Sequence, residues 1–152
     1  MAEEGAGGPL FVVAVDGSDP GERALAEAIR QGRQLHAELA LVNVVVPTVV
    51  AQRGPARINM EQLIAEMEMA AADTVHAAAQ RVKQAGLRAR TKVLSGNRLE
   101  DVGPAIAGYA ANHEAAMIFV GTHGRTGAAR GHLGSVAEGL KAVATVPVSI
   151  VR

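Results

Sequence analysis

Apolar residues fall into two rhythms that alternate along the chain: short unbroken runs, and longer stretches in which they recur every third or fourth position. Residues 10–15 (Leu-Phe-Val-Val-Ala-Val) form the first run, the pattern of a strand covered on both faces of a parallel sheet. It stops at Asp16-Gly17-Ser18. Asp19-Pro20-Gly21-Glu22 then reads as a helix start, with Asp19 as N-cap, proline at the first helical position and Glu22 at the capping-box position. Leu25, Ala28, Ile29, Gly32 and Leu35 follow at helical spacing.

Residues 38–46 are again dense in valine and leucine and end at Pro47, which predicts a second buried strand. Residues 48–59 show no period and carry Gly54 and Pro55, so they are expected to form a long surface loop. From Met60 the positions Leu63, Ile64, Met67, Ala71, Val75, Ala78 and Val82 keep one face of a long helix that Gly86 closes, with the methionines expected to fill core space. Residues 88–94 alternate charged Arg88, Arg90 and Lys92 with Ala89, Thr91 and Val93, the pattern of a half-exposed edge strand protected from stray pairing. Asn97-Arg-Leu-Glu100 reads as a capping box for a helix that turns Leu99, Val102, Ile106 and Ala110 inward. A buried strand over 117–120, a helical face of Leu133, Val136, Leu140 and Val143, and a final strand over 146–151 complete the pattern.

Five strands alternating with four helices predict a single α/β domain over 10–152, behind a loose tail of residues 1–9. The expected architecture is an open, parallel, Rossmann-like five-stranded sheet with helices on both faces and strand order 3-2-1-4-5. In such sheets ligands sit outside the carboxyl ends of the strands where the winding reverses, and Asp16 and Gly121 both stand at strand ends.

Composition narrows the classes. The 152 residues carry 15 basic and 15 acidic side chains, so no net field draws in nucleic acid or an anionic membrane. Aromatics make up 2% of the chain, too few for base-stacking platforms. Cysteine is absent, which excludes disulfides, iron–sulfur clusters and thiol chemistry. The longest apolar stretch, 39–51, is broken by Asn43, Pro47 and Thr48 and is too short for a bilayer, and residues 1–8 do not resemble a signal peptide. A cytoplasmic protein is the consistent expectation.

The candidate chemistry lies after the fourth strand, in Gly121-Thr-His-Gly124-Arg-Thr-Gly127-Ala-Ala-Arg130-Gly131-His-Leu-Gly134-Ser135. A strand, a glycine-rich loop and a helix start together form an anion site, because backbone N–H groups converge without a Cβ in the way. The loop is not a P-loop, since no lysine precedes Ser135, and Gly-x-Gly-x-x-Gly is absent after the first strand. His123 and His132 sit nine apart with no third ligand, so no metal site is expected. Nor does the sequence place a nucleophile beside a base, and no catalytic residue is assigned.

The remaining spacing, Gly121-x2-Gly124-x9-Gly134-Ser135, resembles the ATP-binding subgroup of the universal stress proteins. The likeness runs from residue 10 to 152 and includes Val13-Ala14-Val15-Asp16-Gly17-Ser18, Asn43-Val44 and Pro147-Val148. It implies that Asp16 and the backbone of Val44 border adenine, with Ala14 on the pocket floor. Val120, Gly121 and Gly124 would border ribose and α-phosphate, and Gly134, Ser135 and Val136 would close on the outer phosphates. Arg125 and Arg130 stand as further candidate phosphate partners. Asn43 departs from the histidine frequent in the family. The expected ligand is ATP with Mg or Mn carried on its phosphates; about 31 heavy atoms at about 0.3 kcal/mol each give roughly 9 kcal/mol, near micromolar or tighter.

The resemblance further implies a homodimer through Val146-Pro-Val-Ser-Ile-Val151, whose apolar edge calls for a partner. The function it implies is a nucleotide-dependent switch or adaptor in stress response, acting on a downstream protein partner. The alternatives are a slow ATPase or a nucleotidyl or phosphoryl transferase using the same pocket, and a partner-binding dimer without nucleotide.

Overall fold

A computed structural model describes residues 7–48, 59–122 and 134–152, and in these the two rhythms become strand and helix in turn. The elements are β1 (Leu10–Ala14), α1 (Asp19–Leu35), β2 (Glu38–Val45), α2 (Met60–Gln84), β3 (Arg88–Ser95), a single 3₁₀ turn (Leu99–Asp101) leading into α3 (Val102–Asn112), β4 (Met117–Gly121), α4 (Ser135–Val143) and β5 (Val148–Val151). All strand pairings are parallel, in the order β3-β2-β1-β4-β5, which is the expected 3-2-1-4-5.

Period-two alternation divides the sheet between two cores. Phe11 and Val13 turn to the face covered by α1 and α2, against Leu25, Ala28, Val75 and Val82. Val12 turns to the other face, against Ile106, Ala110 and Leu140 of α3 and α4. With both faces covered, the β1 run has no polar position, as parallel sheets require. The second helix layer is tight where α3 crosses α4. A Cβ on Gly103 would lie 2.9 Å from the Gly139 carbonyl carbon and the Leu140 nitrogen, so only glycine lets the backbones approach this closely.

The edge position of β3 matches its charges. Glu38 on β2 accepts two hydrogen bonds from the Arg90 guanidinium, at 3.1 and 2.9 Å, and that guanidinium holds the Glu38 carboxyl below the usual carboxylate range. Gly8 N–H donates to the His36 carbonyl and Glu38 N–H to the Pro9 carbonyl, tying both residues to the start of β2.

Several local expectations are corrected. The N-cap of α1 is Ser18, not Asp19: the Ser18 hydroxyl accepts from Gly21 N–H at 3.2 Å, and Asp19 is the first helical residue, where its charge still complements the helix dipole. The Asn97/Glu100 capping box does not form. Asp101 accepts from the N–H groups of Asn97 and Arg98, at 3.0 and 2.9 Å, and folds the segment into the 3₁₀ turn. These backbone donors hold the Asp101 carboxyl below its ordinary range.

Leu35 and Val143 are about half exposed, each being the last residue of its helix. The final strand begins at Val148 rather than Val146. The methionines of α2 do not fill the core: Met60 and Met69 are exposed and Met67 is half-buried. A helix of 25 residues spans about 37 Å at 1.5 Å per residue, whereas eight strand residues span about 26 Å. The first turns of α2 therefore overhang the carboxyl end of the sheet.

Candidate functional site

The winding reverses at β1. The chain leaves it toward β2 and β3, then returns on its other side with β4 and β5, so the connections at the carboxyl ends of β1 and β4 diverge. A cavity of about 570 Å³ opens at this point. Its floor is Ala14, Val15 and Asp16 from the end of β1 with Val120, Gly121 and Thr122 from the end of β4. One wall is the end of β2 from Asn43 on, roofed by Met67, Ala70, Ala71 and Thr74 of overhanging α2. The opposite wall is Gly134, Val136 and Ala137 at the start of α4, with Leu99, Val102 and Ile106 beside them. A mostly apolar concavity of this size with few polar groups is the form of a small-molecule site.

Two polar features are positioned by the backbone. The Asp16 carboxylate accepts from the Ser18 N–H at 3.0 Å and from the Ser18 hydroxyl at 2.5 Å. Since the same hydroxyl caps α1, the first helical turn holds the carboxylate at the cavity edge. Across the floor, Thr122 is 6% exposed; its N–H donates to the Val151 carbonyl at 3.1 Å and its carbonyl accepts from Gly134 N–H at 2.5 Å. The end of β4 and the start of α4 are thereby joined directly.

The start of α4 differs from the starts of α1 and α2. Those are capped by the side chains of Ser18 and Asn59, whereas the N-cap of α4 is Gly134, with no side-chain cap. Among the described residues no capping side chain accepts from the first N–H groups of α4, which lie with the positive end of its dipole beside the cavity. Gly121 has a steric task. A Cβ there would stand 2.6 Å from the carbonyl carbon and Cβ of Pro20, so its lack of a side chain lets α1 begin directly over the end of β4.

The sequence pattern of the universal stress protein family matches residues 11–152. The chain belongs to the universal stress protein family. Universal stress protein YxiE of Bacillus subtilis (strain 168) is 26% identical over 148 residues, covering 93% of this chain and 97% of that protein. Universal stress protein UspA from Lactobacillus plantarum has the same fold, with a TM-score of 0.75 at 23% identity over 97% of this chain and 100% of that one. The universal stress protein from Archaeoglobus fulgidus, solved in complex with dAMP, gives a TM-score of 0.63 at 25% identity over 95% and 97% of the two chains.

In this universal stress protein the cavity brings together Ala14, Asp16, Val44, Val120, Gly121, Gly134 and Val136 of the residues singled out from sequence. Ser135 is exposed and is not part of the cavity wall. Gly124 and Arg125, with Arg130, His123 and His132, lie outside the described residues. Sequence reasoning missed the α2 roof, Asn43, Thr122 and the Leu99–Val102–Ile106 side. The signal for the roof was the length of the α2 pattern, which outruns any strand it could cover. No cluster of three His, Asp or Glu side chains suited to a metal occurs among the described residues, and no helix among them is long and apolar enough to cross a membrane.

Proposed function

We propose that the cavity holds an adenine nucleotide, ATP by expectation, and that the protein acts as a nucleotide-dependent switch or adaptor in the cytoplasmic stress response. The observation that carries this reading is the cavity itself, set between the fixed Asp16 carboxylate and the start of α4, whose N-cap is Gly134. The dAMP complex of the Archaeoglobus fulgidus relative supports the ligand class. In this reading Asp16 and the Val44 backbone border the base and ribose over Ala14, and Val120 and Gly121 border the ribose and first phosphate. Gly134, Ser135 and Val136 meet the outer phosphates, the exposed Ser135 contributing its N–H. A divalent cation enters as a counterion carried on the phosphates.

Titration calorimetry with ATP tests the reading. A dissociation constant near micromolar is expected, and heat-denatured protein should release nucleotide identifiable by mass spectrometry. A protein that neither releases nor binds nucleotide would leave the partner-binding dimer without ligand. Following bound ATP for conversion to ADP over hours separates a binder from a slow ATPase.

The protein is proposed to act as a homodimer through β5. This strand pairs with β4 on one side only, is half-buried along its whole length, and presents an apolar edge. Val148→Lys combined with Ile150→Lys is expected to halve the mass measured by light scattering, and an unchanged dimer mass would rule this interface out.

A further inference from the structure

The 25 residues of α2 fall into two parts that are held differently. From Ala71 on, the helix is anchored: Val75, Ala78, Ala79 and Val82 are buried in the α1/α2 core, and Arg81 forms an ion pair with Glu22 of α1. Before Ala71 no residue of the helix is buried. The apolar positions there, Leu63, Ile64 and Met67, are half-buried, and among the described residues they join neither core. Met67 and Ala70 line the cavity instead.

These early turns are nonetheless built as helix. The Asn59 side chain accepts from Gln62 N–H at 3.1 Å, and the Gln62 carboxamide donates to the Glu66 carboxylate at 3.2 Å. The junction with the anchored part is marked by two side chains that bond back to the helix. The Thr74 hydroxyl donates to the Ala70 carbonyl at 3.0 Å, and the His76 Nδ1–H donates to the Ala72 carbonyl at 2.9 Å. The ladder can part here while both carbonyls keep a donor. A segment with few buried apolar contacts opens locally at low free energy, without unfolding of the domain.

We propose that residues 60–70 form a lid over the cavity, opening locally in the free protein and held closed by bound nucleotide, an inference that rests on the nucleotide reading of the cavity. Met67, unbranched and adaptable, supplies the apolar contact on the cavity side. Because nucleotide gains that contact only when the lid is closed, occupancy and lid order are linked. The same turns carry the exposed Met69, so closing the lid orders the outer surface of the domain as well as the cavity. The proposed switch thereby acquires a moving part.

Hydrogen exchange read by mass spectrometry on the wild-type protein, with and without saturating ATP, tests the lid. In the free protein the amides of 60–70 are expected to exchange faster than those of 75–84, and ATP should slow exchange in 60–70 about tenfold or more. Met67→Ala is the second arm. It should weaken ATP binding about tenfold while leaving the thermal midpoint of the nucleotide-free protein unchanged, because this side chain joins neither core. Exchange in 60–70 as slow as in 75–84 overturns the inference, as does a Met67→Ala variant with wild-type ATP affinity or with the lowered midpoint of a core truncation. A wild type that binds no ATP refutes the nucleotide reading of the cavity itself, whereas binding without protection of 60–70 refutes only the lid.

Discussion

Val136→Glu should weaken ATP binding by roughly two orders of magnitude. Val136 is the second residue of α4, half-buried and on the cavity wall, so a carboxylate there enters the first turn of a helix whose N-cap is a glycine. For the fold the two effects oppose each other: a negative charge in the first turn complements the dipole by about 0.3–1 kcal/mol, while the packing of Val136 on the α3/α4 core is lost. For a nucleotide it is adverse, because the same N–H groups are those proposed to meet phosphate. Like charges about 5 Å apart at an effective permittivity of about 20 repel by about 3 kcal/mol, roughly 150-fold in affinity. Calorimetry and thermal unfolding on one preparation read the two effects, and raising the ionic strength should narrow the affinity gap. An unchanged ATP affinity would place the phosphates away from the start of α4.

Gly121→Ala is the larger structural perturbation. The added methyl would meet the Pro20 backbone at 2.6–2.7 Å, and neither the end of a central strand nor the first turn of α1 yields as a flexible side chain would. Overpacking of this kind costs about 1–3 kcal/mol, a fall in the thermal midpoint of roughly 3–10 °C for a domain of this size. Gly108→Ala is the matched control. Nothing lies within 4 Å of a Cβ at that exposed position in α3, and alanine is the better helix former by about 1 kcal/mol, so the midpoint should hold or rise. Equal losses in the two variants would show that the Pro20 contact is not what requires glycine at 121. The comparison also separates two readings of Gly121, as a residue bordering ligand and as one that lets two elements touch.

That second reading was hidden from the sequence. In the string, Gly121 is the first member of a glycine spacing; in space its absent side chain faces Pro20, a hundred residues earlier. The cap of α1 is a smaller case of the same kind. Ser18, Asp19 and Asp16 are all plausible capping types, and only the backbone geometry shows Ser18 capping the helix while Asp16 is held by Ser18 at the cavity edge. The 3₁₀ turn at 99–101 arose likewise from a choice between Glu100 and Asp101 that local spacing leaves open.

What the sequence by itself determined is what local chemistry determines. Unbroken valine-rich runs require strands covered on both faces, recurrent spacing requires amphipathic helices between them, and alternating charge marks β3 as an edge. Strict alternation of strand and helix then leaves the parallel sheet and its switch point, with Asp16 and Gly121 at strand ends beside it. Only the tertiary structure decided which residues face the cavity from elsewhere: the overhanging turns of α2, the half-buried Asn43 beneath them, and the glycine that brings Pro20 onto β4. The reason is physical. Periodicity records which side of its own element a residue occupies, whereas a cavity is bounded by the meeting of several elements, set by their lengths and approach distances once the chain has packed.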